Sequence, residues 1–316
     1  MRAREKQIPI GYSMNTQISN EQIRQYREQG FLQVNDFLSA SELDHWRAVV
    51  AESVTRRGDT VILGLDAEKT KKAQSGDDAF AKVFKQRVNL WVDNHAMRPL
   101  MVDATLGKMA AELAGVDGIR IWHDQALIKE PWANATAWHK DCPYWSFHSP
   151  NALTIWIALE DATFQNGCLY FLPGTHRDGS YRNANLTVNM DAIFEAYPEY
   201  RKSPSASVPL RAGSCTFHNG LTIHGAGPNM TPGWRRAMTC AFMPDGATFN
   251  GQANVLTPAQ ASALKVGDLL DDDRQNPLIW SRTKPYVTSD AAGNLSLNAR
   301  PIEVTLDRVA YRTPRS

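Results

Sequence analysis

Several common signals are missing from this 316-residue sequence. It has no run of about 18 apolar residues, the length needed to cross a bilayer. Its first residues, MRAREKQIPIGYSMNT, lack the apolar centre of a secretory signal. The few cysteines form no CxxC pair, so neither a zinc ribbon nor a dithiol redox site is predicted. We therefore expect a cytoplasmic protein without a membrane segment. We expect the cysteines to act as small buried apolar residues; they are Cys142, Cys168, Cys215 and Cys240.

Clusters of one charge sign are also missing. The 34 Lys and Arg residues nearly balance the 33 Asp and Glu residues, which gives a net charge of +1. The basic residues are spread along the chain, so neither nucleic acid nor a membrane surface is an expected partner. No GxSxG elbow, GxGxxG turn or P-loop is present, and hydrolase and nucleotide-binding functions therefore lack support. The expected partner is a small-molecule substrate, and the oligomeric state stays open.

Short strands dominate the second half of the sequence. Between residues 119 and 250, apolar or alternating runs such as ALTIWIALE and CLYFLPG are separated by Pro, Gly, Asn and Asp. Many short strands with turns between them predict a sandwich or jelly roll instead of a parallel α/β sheet, which needs a helix between successive strands. We expect one domain, mainly β with flanking helices. Its predicted parts are a polar leader (1–15), a mainly helical part (16–118), a jelly-roll core carrying the site (119–250) and a C-terminal wrap (251–316).

Helical signals dominate the first half. Ser19 and Gln22 have the spacing of a capping box, which predicts that a helix begins after Ser19. A pair of helices is expected near 79–90 and 98–114. The polar, lysine-rich segment 64–78 has no periodic pattern, so an exposed loop is favoured over a binding loop. Whether this segment closes over a site as a lid stays open.

The stretch TAWHKDCPYW places a histidine two residues before an aspartate. On a strand, His139 and Asp141 would project from one face and Lys140 from the other, which suits a metal site. A plain hydrogen-bonded His–Asp pair satisfies the same spacing, so the motif alone does not decide. Nearby aromatic residues are candidates for a substrate pocket at the mouth of the site; they are Trp132, Tyr144, Trp145 and Phe147.

A third metal ligand is expected on a later strand. His224 ends a short apolar run and enters a turn rich in Gly, Pro and Asn, and Arg235 begins the next strand. His218 is the alternative ligand, but the turn and the arginine follow His224. Because successive strand residues face opposite sides, at most one of Arg235 and Arg236 points inward.

Two histidines and one carboxylate leave open positions on a metal, which suits non-haem Fe(II) and its oxygen chemistry. A structural zinc site is instead closed by a fourth protein ligand. An inward arginine provides a planar, bidentate partner for the carboxylate of an oxoacid co-substrate. The residues alone leave a second possibility, a non-catalytic jelly-roll module in which the cluster binds metal for stability or sensing.

Four segments, taken in order, resemble one known family. They are WHKDCPYW, LTIWIALED, NGCLYFLPGTH, and HGAGPN followed by RRA. Over residues 30–244 they are similar to the phytanoyl-CoA dioxygenase (PhyH-like) branch of the Fe(II)/2-oxoglutarate-dependent oxygenases. The resemblance implies a double-stranded β-helix, the jelly-roll core of cupin-like proteins. It also implies Fe(II) as the metal, 2-oxoglutarate as co-substrate, O2 as oxidant, and iron ligation by His139, Asp141 and His224.

The same resemblance assigns the co-substrate site. It implies that Arg235 binds the distal carboxylate of 2-oxoglutarate and that Lys129 and Trp156 line the co-substrate. One position departs from the family pattern, because Ala226 stands where many members carry Ser. A hydroxyl contact to the co-substrate is therefore expected to be missing at this position.

The implied activity is oxidation of a small organic molecule, by hydroxylation or another outcome such as desaturation, epoxidation or cyclisation, with release of succinate and CO2. Related halogenases replace the ligating carboxylate with Gly or Ala, so Asp141 argues against halogenation. The aromatic residues favour a moderately apolar substrate, such as a natural-product intermediate. An acyl-CoA hydroxylase is the alternative within the enzyme class, with Lys69, Lys71 and Lys72 as candidates for its phosphates.

Overall fold

The computed structural model describes residues 14–58, 83–184 and 189–298. We number its helices and strands in chain order. The helices are α1 (Asn20–Gln29), α2 (Ala40–Arg57), α3 (Leu90–Asp93), α4 (Arg98–Met101), α5 (Ala104–Ala114), α6 (Ile193–Ala196) and α7 (Pro258–Ala263). The strands are β1 (Phe31–Val34), β2 (Lys85–Val88), β3 (Gly118–Lys129), β4 (Thr136–His139), β5 (Leu153–Ala158), β6 (Leu169–Phe171), β7 (Ala206–Val208), β8 (Cys215–Asn219), β9 (His224–Ala226), β10 (Arg235–Pro244), β11 (Leu278–Ser281), β12 (Tyr286–Ser289) and β13 (Leu295–Asn298).

Two antiparallel sheets form the core. The major sheet has the order β1-β8-β5-β10-β3-β11, with β2 also paired to β3, and the minor sheet has the order β4-β9-β6-β7. Strands β12 and β13 form a separate hairpin. Neighbours in each sheet are distant in sequence, which is typical of a jelly roll. The prediction of a mainly β protein with flanking helices and a jelly-roll core is confirmed.

Strand alternation gives the major sheet two different faces. The outer face carries apolar residues such as Ile155, Phe217 and Met238, which are buried in one large core together with residues of α1, α2 and α5. The inner face carries the alternate residues, among them Thr154 and Trp156, and is turned toward the minor sheet. The four cysteines are free and buried, as expected. Within the described residues no helix combines the length and apolar character required to cross a membrane.

The helical expectations are partly confirmed. Ser19 and Gln22 form the predicted capping box at the start of α1. The expected helix at 79–90 is wrong over the residues that the structure describes, because Lys85–Val88 is strand β2 and pairs with β3. Strand β11 covers only the first residues of the same edge of β3. Pairing with the rest of this edge therefore outweighs the local helical pattern.

Part of the predicted organisation lies outside the described residues. Residues 1–13, 59–82, 185–188 and 299–316 are not described, so the loop at 64–78 and most of the polar leader are not placed. The expected helix at 98–114 is split into α4 and α5, because Asp103 caps the start of α5 through the Leu106 N–H at 2.7 Å. The division of the chain into one domain with four parts stays a prediction.

Candidate active site

A β-bulge in the minor sheet sets the position of His139. Thr136 pairs with Ala226 and His139 pairs with His224, so two residues of β4 oppose the single Gly225 of β9. Because of this extra residue, His139 and His224 lie directly opposite each other. A Cβ at Gly225 would lie 2.9 Å from the carbonyl oxygen of Thr136. Glycine is therefore needed for the close approach of the two strands.

Asp141 lies in the turn after β4, and its side chain reaches the space between His139 and His224. Strand β4 ends at His139, and Asp141 has a helical backbone conformation, with φ −77° and ψ −48°. The expectation that His139 and Asp141 share one face of a continuous strand is therefore wrong, although the two side chains do meet. The turn after β4 brings the carboxylate back over the histidine, which strand alternation alone could not predict.

The structure brings His139, Asp141 and His224 together. Oδ1 of Asp141 lies 3.4 Å from Nε2 of His139 and 3.7 Å from Nε2 of His224. The three ligand atoms all lie within 4.8 Å of one another, a spacing that could hold a metal ion. This is the set of residues predicted from the sequence, and their role as metal ligands stays a prediction.

Both imidazoles are oriented by the backbone. Nδ1 of His139 lies 2.8 Å from the carbonyl oxygen of Ala137, and Nδ1 of His224 lies 3.0 Å from that of Thr222. A carbonyl oxygen only accepts, so each Nδ1 carries the hydrogen and each Nε2 keeps its lone pair. Metal-binding histidines are oriented in this way, by a hydrogen bond from the other ring nitrogen. The two lone pairs and the carboxylate oxygen fit a divalent cation.

The protonation of His224 and Asp141 also suits a bound divalent cation. Burial lowers the pKa of His224 well below its usual range, so the ring is neutral and its nitrogen is available. Burial raises the pKa of Asp141, but the imidazoles of His224, His139 and His218 outweigh this effect and bring it well below its usual range. The site therefore presents the carboxylate of Asp141 and, at His224, a neutral nitrogen.

Arg235 lies on the inner face of the major sheet, at the start of β10 and away from the three candidate metal ligands. It pairs with Lys129 across β10 and β3, its exposed fraction is 2%, and its guanidinium lies 5.2 Å from the ring centre of Trp156. Within the described residues its Nε and Nη1 have no hydrogen-bond partner. Arg236 turns outward, and its Nε donates to Glu160 at 2.8 Å, so the prediction that at most one of the two arginines points inward is confirmed.

Lys129 places a second basic group near Arg235. Its ammonium group is buried and donates to the carbonyl oxygens of Val83 at 3.1 Å and Asn134 at 2.5 Å. Burial, together with the charge of Arg235, lowers the pKa of Lys129 to about 7. Burial also lowers the pKa of Arg235, to about 10. The guanidinium of Arg235, with N–H donors that lack partners in the described part of the chain, and the neighbouring buried Lys129 form a site that suits an anion.

The aromatic residues proposed for the substrate do not form one group. Trp145 and Phe147 are buried and stack at 5.5 Å between ring centres, in a cluster with Trp122. The hydroxyl of Tyr144 donates to the carbonyl oxygen of Ala184. Trp132 is instead exposed, with a relative exposure of 65%. Contact with a substrate stays a prediction for each of the four.

Two residues at the site were not predicted as functional. The Thr154 hydroxyl lies 3.1 Å and His218 Nε2 lies 3.3 Å from Oδ2 of Asp141. His218 was considered only as an alternative ligand. A signal for Thr154 exists in the sequence, since it lies two residues before Trp156 and therefore shares its strand face.

The family profile of phytanoyl-CoA dioxygenase (PhyH) matches residues 26–237. The chain belongs to the phytanoyl-CoA dioxygenase family. Phytanoyl-CoA dioxygenase domain-containing protein 1 from Bos taurus is 26% identical to it over 286 residues, which span 76% of this chain and 95% of that protein. All the residues of the candidate site lie within the matched range.

Solved structures support the same assignment. The non-heme alpha-ketoglutarate-dependent carbocyclase SnoK from nogalamycin biosynthesis is 27% identical, with a TM-score of 0.69 over 85% of this chain and 99% of its own. The epimerase SnoN, solved with Fe3+, alpha-ketoglutarate and nogalamycin RO, is 26% identical, with a TM-score of 0.63 over 82% of this chain and 97% of its own. The predictions of the family, the fold and the iron- and 2-oxoglutarate-dependent oxygenase class are confirmed.

Proposed function

We propose that this protein uses Fe(II), 2-oxoglutarate and O2 to oxidise a small organic molecule, with His139, Asp141 and His224 as the iron ligands. One observation carries the assignment of residues: among the described residues, no group accepts a hydrogen bond from Nε or Nη1 of the buried Arg235 guanidinium. A buried charge without a partner is costly, so this group favours an anionic ligand. A carboxylate of 2-oxoglutarate fits this requirement, whereas a structural or sensor metal site has no need of it.

Each residue of the candidate site has a distinct role in this proposal. The imidazoles of His139 and His224 and the carboxylate of Asp141 bind the metal, which when bound supplies the site where O2 oxidises 2-oxoglutarate to succinate and CO2. Arg235 and Lys129 bind the distal carboxylate, and the Trp156 ring lies against the guanidinium and limits its movement. These contacts orient the co-substrate and exclude water from its charged end.

We also propose a natural-product intermediate as the substrate. The likeness to SnoK and SnoN, both from nogalamycin biosynthesis, supports this class. The alternative is an acyl-CoA, because phytanoyl-CoA dioxygenase from Mus musculus is 25% identical over 72% of this chain. The lysines considered for the CoA phosphates lie outside the described residues. Succinate release measured with polycyclic aromatic compounds and with acyl-CoA esters separates the two classes.

The decisive experiment is an anaerobic titration of the metal-free protein with Fe(II) and 2-oxoglutarate. We expect the weak visible charge-transfer band of an iron-bound 2-oxoacid. Removing one partner of a buried charge pair costs about 2–5 kcal/mol, so Arg235→Ala should weaken 2-oxoglutarate binding about thirtyfold or more. Arg236→Ala is the matched control, because this neighbouring arginine faces outward, and it should bind as the wild type does.

Two outcomes contradict the proposal. A protein that binds metal tightly but shows no band would favour the structural or sensor site. The ligand assignment has its own test in Asp141→Ala, which should abolish 2-oxoglutarate turnover. Near-normal succinate release by this variant would show that Asp141 is not a required ligand.

A further inference from the structure

The two carboxylate oxygens of Asp141 have different neighbours. Oδ1 faces the Nε2 atoms of His139 and His224, at 3.4 and 3.7 Å. Oδ2 faces away from them and accepts from the Thr154 hydroxyl at 3.1 Å and from His218 Nε2 at 3.3 Å. One oxygen therefore points to the candidate metal position, and the other is held by two groups of the protein.

These two groups come from a rigid part of the molecule. Thr154 and His218 are paired neighbours on β5 and β8 in the middle of the major sheet, and both are buried. Asp141 comes from the turn that follows β4 of the minor sheet. The contacts therefore fix a carboxylate on a turn against a sheet, and they join the two sheets at the site.

The surroundings of His218 determine its tautomer. Among the described residues its buried Nδ1 has no hydrogen-bond partner. A hydrogen on Nδ1 would leave a buried donor unpaired and would place the bare Nε2 against a carboxylate oxygen, so the hydrogen lies on Nε2. His218 then donates to Asp141 and has no Nε2 lone pair left for a metal. This explains why a third histidine, with its ring centre 4.4 Å from that of His224, is not expected to be a ligand.

We propose that Thr154 and His218 are positioning residues that hold Oδ2 of Asp141, so that this carboxylate offers only Oδ1 to the metal. The inference rests on the proposed iron site. A carboxylate that bound through both oxygens would occupy a further position on the metal. Holding Oδ2 in hydrogen bonds keeps that position open for the co-substrate and O2.

The test uses Co(II) in place of Fe(II), because its visible absorption spectrum reports the number and geometry of its ligands. Metal affinity is measured by calorimetric titration of the full-length protein. Loss of a group that orients a ligand weakens metal binding about 10–100-fold, and we expect this loss, with a changed Co(II) spectrum, in Thr154→Val and His218→Phe. Thr154→Ser keeps the hydroxyl and should restore both affinity and spectrum.

Thr216→Val is the matched control. Thr216 is a buried threonine on the same face of β8, and its hydroxyl has no hydrogen-bond partner in the described part of the chain. Its replacement should leave Co(II) affinity and spectrum unchanged. A purely structural role of Thr154 would instead lower the melting temperature of the metal-free protein without altering the Co(II) spectrum.

The outcomes separate the two proposals. A wild-type protein that fails to bind Co(II) would contradict the proposed iron site itself. A wild type that binds Co(II), with Thr154→Val and His218→Phe unchanged in affinity and spectrum, would overturn the positioning role alone. If His218→Phe fails to fold, the Thr154 variants decide, because valine has nearly the shape of threonine.

Discussion

The two faces of the major sheet are built from the same strands but have different roles, since one packs against the helices and the other lines the candidate site. On β8, Phe217 faces the helices, while its neighbours Thr216 and His218 face the site. The outer residues belong to one apolar core. On β3, β8 and β10, the buried side-chain atoms that lack a hydrogen-bond partner among the described residues all belong to inner residues; these are His123 Nδ1, Thr216 Oγ1, His218 Nδ1, and Nε and Nη1 of Arg235.

Because successive strand residues face opposite sides, one residue can contribute to the stability of the fold while the next contributes to binding. Buried polar groups are normally satisfied, and native proteins leave few exceptions. Unpaired atoms also occur among the helices that cover the outer face, such as Trp46 Nε1 and Trp91 Nε1. On β3, β8 and β10, however, they lie on the face that carries Arg235 and the neighbours of Asp141, so on these strands the inner face is the one arranged for a ligand. Substitutions on the outer face should therefore act on the free energy of unfolding, whereas substitutions of the inner residues that contact Asp141 or face the co-substrate should act mainly on binding.

The largest expected effect on stability comes from the outer face. Phe217→Ala removes a fully buried ring from the main core, and such truncations cost about 3–5 kcal/mol. Urea unfolding of the metal-free protein measures the loss. The folded fraction should still bind Co(II) and 2-oxoglutarate. If Phe217→Ala left stability unchanged while it weakened metal binding, the separation of the two faces would be wrong.

A smaller effect is expected from His123 on the inner face. Burial lowers the pKa of His123 to about 4, whereas the unfolded chain has the ordinary value of about 6.5. Between these two pH values the unfolded chain binds a proton at His123 and the folded protein does not. The contribution of neutral His123 to the free energy of unfolding is therefore fully present above pH 6.5 and is lost as the pH is lowered toward 4. This displacement corresponds to about 3 kcal/mol.

Replacement of His123 tests this pH dependence. His123→Gln should reduce the fall in the free energy of unfolding of the metal-free protein between about pH 6.5 and pH 4. Part of the fall should remain, because burial lowers the pKa of His224 as well. Urea unfolding at several pH values checks the result. An identical pH profile in the variant would mean that His123 is not buried in its neutral form.

Prediction from the sequence found the three candidate metal ligands and Arg235 because each lies in a short ordered motif. It failed where the position depends on pairing between distant segments. The bulge opposite Gly225 depends on the pairing of β4 with β9, and β2 forms because β3 offers an open edge. The contacts of Thr154 and His218 with Asp141 join two sheets. No local pattern in the sequence predicts how closely the two sheets approach each other.

The smallest effect is expected at Trp132, which lies on neither face of the sheet. Its backbone has a φ of 62°, a left-handed conformation that costs a residue with a side chain about 1–2 kcal/mol. Glycine adopts this conformation freely but loses about 0.5–1 kcal/mol of chain entropy. Since the Trp132 side chain is mostly exposed, Trp132→Gly should raise the free energy of unfolding by up to about 1 kcal/mol, measured by urea unfolding. A clear loss of stability would show that the exposed ring makes contacts that outweigh the strain. A gain would leave substrate binding as the reason to retain tryptophan at a strained position.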